Sequence, residues 1–359
     1  MDEKIRVGVI GASGYTGGEL LRLLSCHPNV ALSAVAASER SSGKAIPALF
    51  PNLTHLAQYT IEALDPKLIG QRVDVVFLAL PHTTSWEVAS AFLDLGRRVI
   101  DLSADYRLKN PQLYETWYQI AHPFPDLLTE AVYGLPELHR DAIRHARLVA
   151  VPGCYPTAAI LQLAPLAARS LIERDGIVID AKSGVSGAGR TPAPAYHFPE
   201  AHEAMHAYKI GSHRHTPEIE QELGQLFETS SLHKDASKEV RLNFTPHLVP
   251  MNRGILSTAY ARPLVPLSSN ELLTRYETFY KQEPFVRVWQ EPDRVNPSHV
   301  HGANFCDLSV CYDQRTGYVV TLAALDNLVK GAAGQAIQVM NIMLGLPETS
   351  GLTMPGLFP

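Results

Sequence analysis

The chain opens on a largely apolar run, Ile5–Ile10, and that run sets the theme of the first 150 residues. Apolar positions then recur at helical spacing over Tyr15–Cys26, and a second apolar run follows at Ala31–Ala37. The alternation repeats with Val73–Leu80, Ser85–Leu95 and Arg98–Leu102. Strands that are apolar at nearly every position are covered on both faces, and strand–helix alternation predicts a parallel sheet with right-handed crossovers. The expectation is an α/β, doubly wound first domain.

Beyond Pro152 the pattern changes. Longer strands are predicted at Ile177–Lys182, Val240–His247, Ile255–Arg262, Asp307–Tyr312 and Val319–Ala324, with helices at Thr216–Phe227 and Glu271–Lys281. This reads as an α+β domain with a mostly antiparallel sheet. Asp326–Leu344 carries a long helical pattern with small residues on one face, and a lone terminal helix must pack on something already built. We therefore expect residues 1–153, completed by 327–359, to form one domain and residues 154–326 the other.

Composition narrows the class. The chain has 359 residues, 46% of them hydrophobic and 19% charged, which suits a folded protein of two domains. A formal charge of -5 and no basic cluster argue against a nucleic-acid partner. No apolar run reaches membrane-spanning length, and Met1–Ile10 carries no leader pattern, so the expected setting is cytoplasmic with no membrane partner. The four cysteines, Cys26, Cys154, Cys306 and Cys311, show no metal-binding or redox spacing; no metal is expected.

Chemistry enters at the end of the first strand. Gly11-Ala12-Ser13-Gly14-Tyr15-Thr16-Gly17 lies between that strand and the helix it opens, a G-x-x-G-x-x-G spacing. Glycines there permit a tight turn and close backbone approach, and helix N-terminal amides face a pyrophosphate, as in a Rossmann-type dinucleotide site. Gly11, Ser13, Gly14, Tyr15, Thr16 and Gly17 are the candidate contacts. The second strand ends at Ala37 and is followed by Ser38-Glu39-Arg40. A serine and an arginine suit a 2′-phosphate, so NADP(H) is favoured over NAD; Glu39 points the other way, and Arg40 as a solvated loop charge is the alternative.

The run Val149–Thr157 ends a strand and begins a helix predicted over Thr157–Ala168, with Cys154 between Pro152-Gly153 and Pro156. A thiol at a helix N-terminus has its thiolate stabilised by unpaired amides and the macrodipole, which makes Cys154 a nucleophile candidate. A buried structural cysteine is the alternative.

Pro152-Gly153-Cys154-Tyr155-Pro156-Thr157-Ala158, with the opening Gly11–Leu20 block, resembles the N-acetyl-gamma-glutamyl-phosphate reductases, relatives of aspartate-semialdehyde dehydrogenase. The resemblance continues through Ser183–Arg190, His213–Ile219, Phe244–Gly254 and Asp326–Gly334, in family order over nearly the whole chain. It implies NADPH-dependent reduction of an acyl phosphate, N-acetyl-L-glutamyl 5-phosphate, to the semialdehyde through a Cys154 thioester in arginine biosynthesis, by a homodimer or homotetramer. The second domain would then be catalytic and dimerising. His215, or His213 two residues before it, would be the acid/base partner of Cys154. Ser183, Gly184, Ser186 and Gly187, with Asn327, would meet the nicotinamide side; Asn327 as a plain helix N-cap is the alternative. Arg107, at the end of the strand Arg98–Leu102, would take the substrate phosphate, or else pair with Asp105 or Asp101; Arg190 and Arg253 are further anion-binding candidates. The same chemistry on an aspartyl or aminoadipyl phosphate is the near rival. A cysteine-dependent acyl hydrolase or transferase, and an NADP-sensing regulator, are more distant ones.

Overall fold

The computed structural model describes residues 4–229 and 239–358; positions 1–3, 230–238 and 359 of the expected domain spans lie outside them. The chain divides into two compact units. The first holds the chain as far as Pro152 together with Ala332–Met354, and the second holds Gly153–Gly331 and the residues from Pro355 on. The return to the first unit thus falls at 331/332 rather than 326/327, because Asp326 and Asn327 are bonded within the second unit. From Pro355 the chain rejoins that unit, where the Leu357 amide bonds to the His301 carbonyl at 2.8 Å.

The first unit is built on seven strands: β1 (Ile5–Ile10), β2 (Val30–Ala37), β3 (Glu62–Ala63), β4 (Val75–Leu78), β5 (Arg98–Asp101), β6 (Val132–Tyr133) and β7 (Leu148–Ala150). Their order is β3-β2-β1-β4-β5-β7-β6, parallel throughout. Val7, Val9, Phe77, Val99, Ile100 and Val149 are fully buried, as strands covered on both faces require. The order reverses between β1 and β4, and ligands of open α/β sheets bind beyond the carboxyl ends of the strands at such a switch point. The helix Gly334–Met343 completes the unit. Its Gln335, Gln338 and Asn341 are fully buried: Gln335 Nε2 donates to the Gly134 carbonyl while its Oε1 has no partner among the described residues, Gln338 donates to the Glu137 and Glu348 carboxylates, and Asn341 bonds to His27 and to the carbonyls of Glu348 and Ser350.

The second unit has seven more strands: β8 (Asp175–Gly184), β9 (His206–Ala207), β10 (Arg241–Val249), β11 (Ile255–Ala261), β12 (Val286–Val288), β13 (Cys306–Asp313) and β14 (Tyr318–Leu325). The order is β12-β13-β14-β11-β8-β10-β9, antiparallel except for the β12/β13 and β8/β10 pairs. Burial alternates along β8, β10 and β11, so one face is covered and the other carries Val178 and Tyr260 in the open. The helix Cys154–Ala167 lies on the covered side against β11 and β14. Pro165 inside it has no amide to give the Leu161 carbonyl, and that carbonyl accepts the Tyr280 hydroxyl at 2.5 Å instead. One turn earlier Tyr276 donates to the Gln162 carbonyl. The Tyr280 hydroxyl thereby replaces the amide that Pro165 lacks.

Among the described residues no helix is long and apolar enough to cross a membrane, and no group of three or more His, Cys, Asp or Glu side chains could hold a metal ion.

Candidate active site

The glycine loop follows β1 at the switch point. Gly11 has φ +84°, and a β-carbon there would stand 2.2 Å from the Ala79 carbonyl oxygen. One on Gly17 would stand 2.5 Å from the Gly11 carbonyl oxygen. Both glycines are therefore required by the loop's own packing. Gly14 differs: its nearest neighbour would be 3.8 Å from such a β-carbon, and it precedes the helix Tyr15–Ser25, whose first amides have no intrahelical acceptor. This is an open, amide-lined cradle of the kind a pyrophosphate fills. Ser38 and Arg40, at the end of β2, are exposed.

Arg107 is buried after β5. Its Nε donates to the Val151 carbonyl at 2.7 Å and one terminal nitrogen to the Leu102 carbonyl at 2.9 Å. Asp101 and Asp105 take other donors. Asp101 accepts the Ser85 and Ser103 hydroxyls at 2.5 and 2.7 Å, and Asp105 accepts the amides of Thr83 and Ser85 at 2.7 and 2.9 Å. Burial, then the neighbouring Asp105, pushes the Asp101 carboxyl up to about 6.

In the second unit the helix begins at Cys154 itself, with Gly153 as N-cap. The start lies three residues before the predicted Thr157, because Pro156 sits in the first turn, where a missing amide costs nothing. The Gly153 carbonyl accepts both the amide and the hydroxyl of Thr157, at 2.9 and 3.0 Å. The Gly153 amide donates to the Glu218 Oε1 at 2.8 Å. Glu218 is 1% exposed, in the helix Thr216–Thr229 that starts directly after His215.

His215 lies against this turn. A β-carbon on Gly153 would stand 2.4 Å from His215 Nε2, so only glycine admits the imidazole beside the residue preceding the thiol. His213 is buried in an aromatic surround of Tyr155, Tyr208, Phe244 and His215, with ring centroids 4.7 to 5.9 Å away. Its Nδ1 accepts the His215 amide at 3.2 Å. Burial, reinforced by Lys209 and Arg214, lowers His213 to about 4, so its ring is neutral at pH 7. The Tyr208 hydroxyl donates to that of Tyr155 at 3.3 Å, and Tyr155 to the His247 carbonyl at 3.1 Å.

Asn327 does not cap a helix. Its Oδ1 accepts the Gly254 amide at 2.7 Å and its Nδ2 donates to Ser186 Oγ at 3.0 Å, which joins two loops. The capping falls to Asp326, whose Oδ1 accepts the amides of Leu328 and Val329 at 2.8 and 3.2 Å. Ser183 is buried, Gly184 is packed on the Asn252 carbonyl, and Ser186 and Gly187 are more open. Arg253 lies 3.4 Å from Asp326, and Arg190 is exposed.

The structure thus gathers Cys154, His215 and His213 around one turn, and Ser183, Ser186, Gly187 and Asn327 around another. Glu218 and Asp326 were not singled out from the sequence. The only signals for them were the Thr216-Pro217-Glu218 helix start and the acidic residue beside Asn327.

Comparison with known proteins agrees with this architecture. Residues 6–146 match the semialdehyde dehydrogenase NAD binding domain and residues 154–327 the semialdehyde dehydrogenase dimerisation domain. The same fold occurs in aspartate semialdehyde dehydrogenase II of Vibrio cholerae, with a TM-score of 0.70 at 17% identity, covering 96% of this chain and 99% of that one. It occurs also in the Candida albicans aspartate semialdehyde dehydrogenase solved with NADP, with a TM-score of 0.70 at 17% identity, covering 95% and 99%. The class is therefore that of the semialdehyde dehydrogenase oxidoreductases. Within it the chain is 51% identical over 356 residues to the N-acetyl-gamma-glutamyl-phosphate reductase of Geobacter sulfurreducens and 50% over 355 residues to that of Moorella thermoacetica, covering 99% of this chain and all of each relative. The chain belongs to the N-acetyl-gamma-glutamyl-phosphate reductase family.

Proposed function

We propose that Cys154 is the nucleophile and His215 the acid/base of an NADPH-dependent reduction of N-acetyl-L-glutamyl 5-phosphate to the 5-semialdehyde, the arginine-biosynthetic reaction the family name implies. The observation that carries this reading is the turn at Gly153, where a helix N-terminus presents Cys154 and His215 lies against the residue before it.

The Cys154 thiolate, stabilised by the helix start, attacks the acyl carbon. A C–S bond forms, amides at the helix start hold the oxyanion, and the C–O bond to phosphate breaks to leave a thioester. Bound NADPH supplies the hydride that reduces the thioester carbonyl. His215 protonates the resulting oxyanion to the hemithioacetal and takes that proton back as the C–S bond breaks and the thiolate departs with the aldehyde formed. Glu218 fixes the Gly153 turn. His213, neutral and engaged by the His215 amide, positions His215 rather than exchanging protons.

The open cradle at Gly14 supports Gly11, Ser13, Gly14, Tyr15, Thr16 and Gly17 as the pyrophosphate contacts, and exposed Ser38 and Arg40 suit the 2′-phosphate. Ser183, Gly184, Ser186, Gly187 and Asn327 meet the nicotinamide end. Arg190, Arg253 and Arg107 are assigned to the anionic groups of the substrate, Arg107 with two of its donors already committed to carbonyls. The first unit, the chain as far as residue 152 with 332–354, serves as the NADP domain, and the second as the catalytic domain whose exposed sheet face pairs two copies. The setting is the cytoplasm.

The test is phosphate-dependent reduction of NADP by the purified protein given N-acetylglutamate 5-semialdehyde, beside aspartate and aminoadipate semialdehydes. Preference for the first supports the assignment. Preference for another moves the substrate and keeps the mechanism, and no NADP reduction with any of the three overturns the reading.

A further inference from the structure

A polypeptide segment that packs on the nucleophile from outside its own helix constrains where the sulfur can stand, and the described residues include such a segment. Val329–Ala333 is a π-helical turn inserted ahead of the helix Gly334–Met343, where the sequence pattern predicts unbroken α-helix. Such turns are looser than α-helix and persist where a function holds them. Here the hold is visible. Asp326, fully buried, accepts the amides of Leu328 and Val329 on one carboxylate oxygen and that of Gly302 on the other at 2.7 Å, and its carbonyl accepts the Gly331 amide at 2.9 Å. Lys330 is fully buried within the turn, its Nζ 5.9 Å from the centre of the Phe285 ring.

The turn delivers Gly331 onto the nucleophile. A β-carbon at Gly331 would stand 2.8 Å from Cys154 Cβ, 3.2 Å from Cys154 Cα and 3.2 Å from a Leu325 methyl. Two of those three atoms belong to Cys154, and all three stand closer than a real β-carbon tolerates without displacement. The φ of Gly331 is not in the left-handed region, so space alone excludes a side chain there. Four residues earlier, just ahead of the turn, stands Asn327, bonded to the Gly254 amide and to Ser186 Oγ. One short segment therefore rests on Cys154 at one end and holds the Ser186 loop at the other.

We propose that Gly331 is a positioning residue for Cys154, and that the Asp326–Gly331 turn gauges the thiol against the Asn327–Ser186 pair. The proposal rests on Cys154 being the nucleophile, which the Cys154→Ser variant tests separately. An alanine at 331 pushes the cysteine away from the turn by more than half an ångström, from 2.8 Å toward the 3.4 Å at which ordinary contact begins. That displacement leaves binding nearly intact and degrades the chemical step, since geometry errors of this size cost catalysis first.

The experiment compares Gly331→Ala with the wild-type holoenzyme. The expected result is NADP+ affinity and semialdehyde KM within about threefold of wild type, kcat lower by about 100-fold, and a changed pH profile for alkylation of Cys154 by iodoacetamide. A kcat within threefold and an unchanged alkylation profile overturn the proposal, as does a rise in KM that accounts for the whole loss. Should Gly331→Ala fail to fold, the double variant with Cys154→Gly decides, because it removes the β-carbon that the alanine meets. Recovery of folded protein in the double variant shows that the constraint is the cysteine contact. Failure of both shows that other packing requires the glycine, and overturns the proposal.

Discussion

Glu218 and Gly153 lie 65 positions apart in sequence, and the Glu218 carboxylate accepts the Gly153 amide at 2.8 Å. The bond joins the start of the Cys154 helix to the start of the helix that follows His215. It satisfies a helix-terminal amide with a buried side-chain oxygen in the first turn of the neighbouring helix. The pair thus fixes the cysteine turn relative to the histidine segment.

Glu218→Ala should therefore lower both stability and rate. Loss of the buried acceptor is expected to cost about 1–3 kcal/mol in denaturant unfolding and to reduce kcat by about 10- to 100-fold. Glu218→Gln keeps an acceptor and should retain most of the stability. A kcat unchanged in Glu218→Ala would remove this carboxylate from the positioning of the site.

The two histidines should separate by pH and by substitution. His213 is held near 4 by burial against a free-histidine value of 6.5, so the unfolded chain binds the extra proton between those pH values and the native chain does not. The stabilisation is complete above pH 6.5 and is lost as pH falls toward 4, on the order of 3 kcal/mol. Unfolding midpoints recorded across that window should fall in the wild type and fall less in His213→Asn, whose amide oxygen can still accept the His215 amide. His215→Asn should instead lose at least about 100-fold in kcat with stability little changed. The opposite assignment of the larger kcat loss would exchange their roles.

Much of this was legible in the sequence, for reasons that differ by element. β1, β2 and β5 are visible because strands covered on both faces are apolar throughout, and the predicted ends fall within a residue of those observed. The pairs Glu62–Ala63, Val132–Tyr133 and His206–Ala207 are too short to carry any periodicity, and only their neighbours make them strands. Cys154 stands out as a candidate through the prolines and glycine around it. The long pattern from Asp326 concealed a π turn, since its small residues suit a helix and a close approach equally well. Glu218 was hidden because an acidic residue in a first helical turn ordinarily needs no further explanation.

The glycine loop should divide its glycines into two kinds. Gly11→Ala meets the Ala79 carbonyl at 2.2 Å and carries a positive φ, so it should destabilise the fold by about 2 kcal/mol or more. Gly14→Ala meets nothing within 3.4 Å and should fold normally while raising the NADP(H) Kd by about tenfold. Thermal melts beside cofactor titrations would show the split, and equal destabilisation by both would argue that Gly14 serves packing alone.

Arg40→Ala should act on cofactor choice. The side chain is exposed at the end of β2, so stability should hardly move, while KM for NADP(H) rises by about 10- to 100-fold and KM for NAD(H) stays in place. A parallel change for both cofactors would take Arg40 off the 2′-phosphate.

The central claim is a covalent one, and the most direct measurement is to trap it. Wild-type protein mixed with N-acetyl-L-glutamyl 5-phosphate in the absence of NADPH should release phosphate and gain the acyl group on the peptide containing Cys154, and adding NADPH should convert that label to semialdehyde. Cys154→Ser should give neither label nor semialdehyde. Turnover by the wild type with no acyl label on Cys154, or with the label on another residue that is then reduced, would contradict the account.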